Sequence, residues 1–123
     1  MKLNYLAVAA ASLILNGCGS VPSCSDETVK ELVIQIADEQ IGFQLGAQLS
    51  GELANQQIEL DLKKIGWNVE SIRTIDTNKK NNLASCAAKV QIMYDGKAYF
   101  EHDVEYTAQP TDDGKNVYVE ATF

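Results

Sequence analysis

From Trp67 to the C-terminus, apolar residues recur at nearly every second position, and this period limits the fold more than any other feature of the chain. Alternation of this kind sends successive side chains to opposite faces of an extended strand. Asn68–Asp76 reads as a first strand, ended by the polar turn Thr77–Asn82. Ala84–Tyr94 reads as a second, with Ala84, Cys86, Ala88, Val90, Ile92 and Tyr94 on one face. Asp95-Gly96 is a strong two-residue hairpin signal between alternating segments. Ala98–Thr107 follows as a third strand, with Phe100, Val104 and Tyr106 inward and His102 on the same side. Pro110–Lys115 turns the chain through Asp113-Gly114, and Val117–Phe123 is the last strand, with Val117, Val119, Ala121 and Phe123 inward.

A sheet with one apolar face must be covered by something. The cover has to come from the preceding residues, where the period is helical. Ser25 is a suitable N-cap, with Asp26 and Glu27 acidic in the first turn. Val29, Leu32, Val33 and Ile36 follow at helical spacing, running on through Ile41 towards Leu45. Gly42 and Gly46 weaken the pattern, and Ser50-Gly51 reads as a break. Glu52–Ile65 reads as a second helix ended by Gly66, although Ile58, Leu60 and Leu62 also alternate as a strand does. The expected class is α+β: one or two N-terminal helices on a four-stranded antiparallel meander. This element order resembles the helix-on-sheet folds of the cystatin type.

The first residues have a different character. Met1-Lys2 is a short positive start, and Leu3–Leu15 carries no charge over thirteen residues. A membrane-spanning helix needs about 20 apolar residues, so this run is too short to span. It has the length of the apolar core of a secretory signal. The run ends in Leu15-Asn16-Gly17-Cys18, which resembles the lipobox of bacterial lipoproteins: a hydrophobic residue three before the cysteine and a small one directly before it. The resemblance implies that residues 1–17 are a signal peptide that is removed. It also implies a diacylglycerol on the Cys18 sulfur and an acyl chain on its new amino group, with no other cofactor. Two or more acyl chains anchor a protein firmly, where one does so only marginally. Gly19 stands where sorting rules of the family place Asp for inner-membrane retention, so in a Gram-negative host the resemblance implies the outer membrane.

With Cys18 carrying lipid, Cys24 and Cys86 remain, an even number in an oxidising compartment. They are expected to form a disulfide that staples the start of the helix to the inward face of the second strand. Five residues separate Cys18 from Cys24, limiting the extended reach to ~20 Å. The expected organisation is therefore a signal peptide (1–17), a short membrane-proximal linker (18–24) and a single domain (25–123).

Charge and composition narrow the function. The chain carries a net charge of −7; without Lys2 it keeps nine basic and 17 acidic side chains, a net −8. Such a chain is ill suited to holding nucleic acid by charge. One His and no Cys/His cluster argue against a metal site. His102 is flanked by Glu101, Asp103 and Glu105, but alternation sends these acids to the opposite face, so a catalytic role is not expected. Asp112-Asp113-Gly114 resembles a calcium loop yet lacks the remaining oxygen ligands, and reads as a hairpin turn. The chain is therefore expected not to be an enzyme.

The outward face holds the better candidate. Tyr99, Glu101, Asp103 and Glu105 on the third strand, with Tyr118 and Glu120 on the fourth, set aromatics among acids. Aromatic rings supply anchoring area and carboxylates steer a cationic partner. The expected function is a membrane-anchored envelope lipoprotein acting as a non-enzymatic protein-interaction module in the periplasm, whose partner is a protein, with a basic one suiting the acids. A structural or assembly subunit of an envelope complex is the alternative, and a small-ligand carrier a further one.

Overall fold

The structure, a computed structural model, describes residues 5–8 and 20–123; the lipobox and the lipidation expected at Cys18 lie outside the described residues. The elements in chain order are β1 (Tyr5–Val8), α1 (Glu27–Asn55), a 3-10 turn (Leu62–Lys64), β2 (Ile65–Asn78), β3 (Leu83–Tyr94), β4 (Lys97–Pro110) and β5 (Val117–Thr122). The sheet order is β1-β5-β4-β3-β2, antiparallel at every pairing. One long helix thus packs on a four-strand antiparallel meander, as the alternation requires. With residues 1–17 present, the backbone of Tyr5–Val8 adds a further edge strand to β5, although residues 1–17 read as separate from the fold.

Of the one or two helices expected, the chain forms one. α1 runs for 29 residues, ~44 Å at 1.5 Å per residue. Its buried stripe is Val29, Leu32, Val33, Ile36, Ala37, Ile41, Leu45, Leu49 and Leu53. From Ile41 onward every fourth residue is buried, so one continuous face carries the helix past the expected break. Gly42, Gly46, Ser50 and Gly51 all lie off that row. Each glycine costs about 1 kcal/mol in a helix, whereas burying one leucine gives about 1.5–3 kcal/mol. Leu45, Leu49 and Leu53 are each 2% exposed or less, so packing prevails.

The helix ends also differ from the sequence reading. Asp26, rather than Ser25, is the N-cap, its carboxylate accepting from the Thr28 N–H at 2.9 Å. At the C-terminus Gln57 takes a left-handed φ of 59°, and the Ile58 N–H reaches back to the Leu53 carbonyl at 2.8 Å. That bond closes the last turn and ends the helix at Asn55, well short of Ile65. Residues 58–61 are neither helix nor strand. The Tyr94 hydroxyl accepts from the Asp61 N–H at 2.8 Å and donates to the Glu59 carbonyl at 3.2 Å, tying this segment to the end of β3.

The core lies between α1 and the inward sheet face. Val33, Ile36, Leu49, Val90, Val117 and Val119 are fully buried there. Cys24 and Cys86 form the expected disulfide, with Cα atoms 5.8 Å apart. Cys86 stands directly opposite Tyr106 of β4, whose hydroxyl donates to the Cys24 carbonyl at 2.8 Å. The start of the domain is thus held by adjacent residues of two neighbouring strands. Burial pushes the Tyr106 hydroxyl up to about 12.

Hairpin chemistry matches the turn residues. Asp95 and Gly96 have φ of 52° and 80°, the paired positive values of the tight turn expected from this dipeptide. β2 is less regular, with its register interrupted between Glu70 and Arg73 and again between Thr74 and Asp76. These interruptions return Ile72 to the core and leave Ile75 62% exposed.

Candidate interaction face

Cross-strand register places the outward residues in rows. Glu70, Lys89 and Asp103 make one, from β2 to β4. Arg73, Ala87, Glu105 and Thr122 make the next, from β2 to β5, and Asp76, Ser85, Thr107 and Glu120 a third. The acids expected on this face are therefore present on it, together with two cations from neighbouring strands.

One of them, Lys89, divides the acids into two sets, while Arg73 donates to the Ser71 carbonyl at 3.1 Å. Lys89 Nζ lies 3.0 Å from Asp103 Oδ1 and 3.5 Å from Glu101 Oε2. The hydrogen bond from Lys89 lowers the Asp103 carboxyl below its ordinary value, and Asp103 in turn raises the Lys89 ammonium. Glu101 and Asp103 thus share a cation already in place. Glu105 and Glu120 are exposed and form no ion pair among the described residues. They flank a shallow groove of about 350 Å³ whose other walls include Ile75, Ser85, Thr107 and Thr122. A groove with unpaired carboxylates on its sides and an apolar flank at Ile75 has the chemistry to take a lysine or arginine side chain, stem as well as head.

The two tyrosines are placed differently. At the β3–β4 hairpin Ile92 faces Phe100 while Met93 faces Ala98, leaving Tyr99 as the extra residue of a bulge. Its ring meets Tyr94 edge-on at 6.4 Å, with Lys97 Nζ 5.1 Å from the ring centroid, and it packs against the core. Tyr99 therefore does not join the row of Glu101, Asp103 and Glu105. Tyr118 is half-buried opposite Gln109, and its hydroxyl is raised by burial and by Glu120.

His102 sits half-buried at the rim of the inward face. Its ring lies 6.2 Å from Phe123, and Nδ1 is 2.8 Å from the Asp103 carbonyl oxygen. The flanking carboxylates are on the other face, as alternation implies. In the Asp112–Gly114 turn, Thr111 Oγ1 donates to Asp113 Oδ1 at 2.7 Å and the Lys115 N–H donates to the same oxygen at 3.0 Å, which lowers the Asp113 carboxyl. That carboxylate holds the turn together. The described residues contain no cluster of His, Cys, Asp or Glu fit for a metal ion, and no helix among them is long and apolar enough to cross a membrane.

Two features of the face go beyond the sequence reading. Lys89 was legible: its parity in β3 puts it outward, opposite the acids of β4. The exposure of Ile75 was not, because it depends on an interruption in β2 that alternation does not encode. No family model, no curated protein and no solved structure matches the chain.

Proposed function

We propose that the chain is a bacterial envelope lipoprotein, anchored through Cys18, whose outward sheet face binds a basic protein without catalysis. The observation that carries the binding reading is the pair Glu105 and Glu120 flanking the groove beside Ile75. Unpaired carboxylates across a groove steer a cationic partner, and a neighbouring apolar wall gives its side chain an anchor. The anchoring reading rests on the charge, apolar length and lipobox of residues 1–18. A short connection to the domain agrees with it: Val21 packs against the core and Pro22 is buried. At the centre of the helix–sheet interface Val33, Ile36, Leu49, Val90 and Val119 are fully buried against one another's elements, which favours binding at the surface over a ligand carried there.

The test presents the membrane-extracted protein, immobilised, to a lysozyme-type cationic enzyme as a basic probe across a salt series. Capture that falls with salt and is lost in Glu105→Lys plus Glu120→Lys supports the reading. Glu101→Gln should change capture far less, because Lys89 already engages that carboxylate. Equal capture by the double variant would sink the assignment of the groove. Lipidation is read separately, from the intact mass and from release of Cys18→Ser from the membrane.

A further inference from the structure

The sheet has two edges, and their construction differs. The edge strand β2 is interrupted twice in its register with β3 and carries Glu70, Arg73 and Asp76, features that discourage pairing with another strand. β5 is regular from Val117 to Thr122 and carries Glu120 as its single charge. With residues 1–17 present its outer edge is occupied: Tyr5, Leu6, Ala7 and Val8 pair with Ala121, Glu120, Val119 and Tyr118 in antiparallel register. Removal of residues 1–17, on which the proposed function rests, takes that strand away and leaves a regular row of backbone donors and acceptors without partners. Such an edge is a ready template for another strand.

We infer that in the processed protein the β5 edge pairs with β5 of a second copy, antiparallel about a two-fold axis at Val119. Opposite residues in an antiparallel pair point to the same face, so the axis must fall on a residue. An axis at Glu120 would set two Glu120 carboxylates against each other, a destabilising like-charge pair. An axis at Val119 instead sets Tyr118 opposite the second copy's Glu120 and Val117 opposite its Ala121. The inward residues Val117, Val119 and Ala121 then continue the apolar face of the sheet from one copy into the next. The strand that occupies this edge when residues 1–17 are present is uncharged and antiparallel, so the edge already accepts that geometry. A six-residue edge buries little area, and confinement of both copies to one membrane surface supplies the effective concentration that a small interface needs. A dyad normal to the sheet keeps both helices on one side and both anchors at one height.

The experiment uses the full gene expressed in a Gram-negative host, with Tyr118→Cys and Glu120→Cys introduced together. Both positions face outward, and neighbours two apart on one strand are poorly placed to bridge within a chain. Mild oxidation of isolated membranes should give a covalent dimer of twice the monomer mass. Glu101→Cys, away from the edge, should give none. Light scattering of the unsubstituted protein in mild detergent serves as a check free of added cysteines, and should read a dimer. Intact mass reports processing independently. A processed, lipidated protein that stays monomeric and unlinked overturns the edge pairing while leaving the lipoprotein reading intact. If the leader remains attached, the edge is occupied and the chain must be a monomer; a dimer in that form overturns the inference as well.

Discussion

Breaking the Cys24–Cys86 bridge is the perturbation with the largest calculable effect. The bridge joins residues 62 positions apart, and loop-closure entropy for that length gives about 4 kcal/mol of stabilisation at 25 °C. A domain of this size has a total stability of about 5–15 kcal/mol, so the reduced protein should be marginal. Part of the local structure survives reduction, because Tyr106 still bonds the Cys24 carbonyl and Val21 still packs on the core. The assay is urea unfolding of oxidised and reduced protein, followed by the fluorescence of Trp67. This residue is the single tryptophan, and its ring lies beside Gly42 of α1, so its emission reports separation of helix from sheet. With a urea dependence of about 1–2 kcal/mol per molar, the midpoint should fall by about 2–4 M on reduction. Cys24→Ala plus Cys86→Ala should reproduce the loss. A reduced protein within about 1 kcal/mol of the oxidised one would refute the staple, and a large loss confined to the alanine double variant would assign the effect to packing instead.

Tyr106→Phe removes the donor to a buried carbonyl and should cost about 1–3 kcal/mol in the same assay. Because burial raises Tyr106 to about 12 in the folded state, its contribution is fully present below pH 10 and should be lost as pH rises from 10 towards 12, a component absent from Tyr106→Phe. Gly46 and Gly51 on α1 have open space where a Cβ would stand, so Gly46→Ala and Gly51→Ala should each stabilise by about 1 kcal/mol, measured by thermal unfolding. Gly96→Ala should instead destabilise by about 1 kcal/mol or more, since φ of 80° strains any residue with a Cβ; an unchanged melting temperature would contradict that backbone assignment.

What the sequence revealed divides along the range of the interactions concerned. Strand parity, the Asp95-Gly96 turn and the inward set from Ala84 to Tyr94 depend on a period of two and on local turn chemistry, and both are written residue by residue. The cysteine pairing was legible because parity put Cys86 inward and the helix start put Cys24 above it. The length of α1 was not, because glycine and serine signal a break locally while the opposing term, burial of Leu45, Leu49 and Leu53, exists only once the sheet is beneath them. The interaction face was half legible. Parity correctly sent Glu101, Asp103, Glu105 and Glu120 outward, yet the bulge at Tyr99 and the interruptions in β2 shift residues off their parity, and these decide where the groove lies.

The staple and the groove belong to the same stretch of sheet, which bears on how an anchored domain presents itself. Cys86 and Tyr106 hold the start of the domain on the inward face, and their chain neighbours Ser85, Glu105 and Thr107 form the groove on the outward face. The chain therefore enters on one side of the sheet and offers its unpaired carboxylates on the other. With Val21 already packed, the link from Cys18 reduces to three peptide steps, ~10 Å when extended, half the reach allowed by counting to Cys24. Were Cys18 lipidated as proposed, an anchor that short would hold the entry side towards the lipid. Repulsion between the acids and an anionic bilayer favours the same orientation. In that proposed arrangement groove and membrane lie on opposite sides of the sheet, which leaves Glu105 and Glu120 open on the aqueous side to the proposed basic partner. Lengthening the link by a flexible insertion after Gly19 should leave binding of the isolated protein unchanged but relax its orientation on vesicles, read as reduced quenching of Trp67 by labelled lipid headgroups; unchanged quenching would show that the short link does not set the orientation.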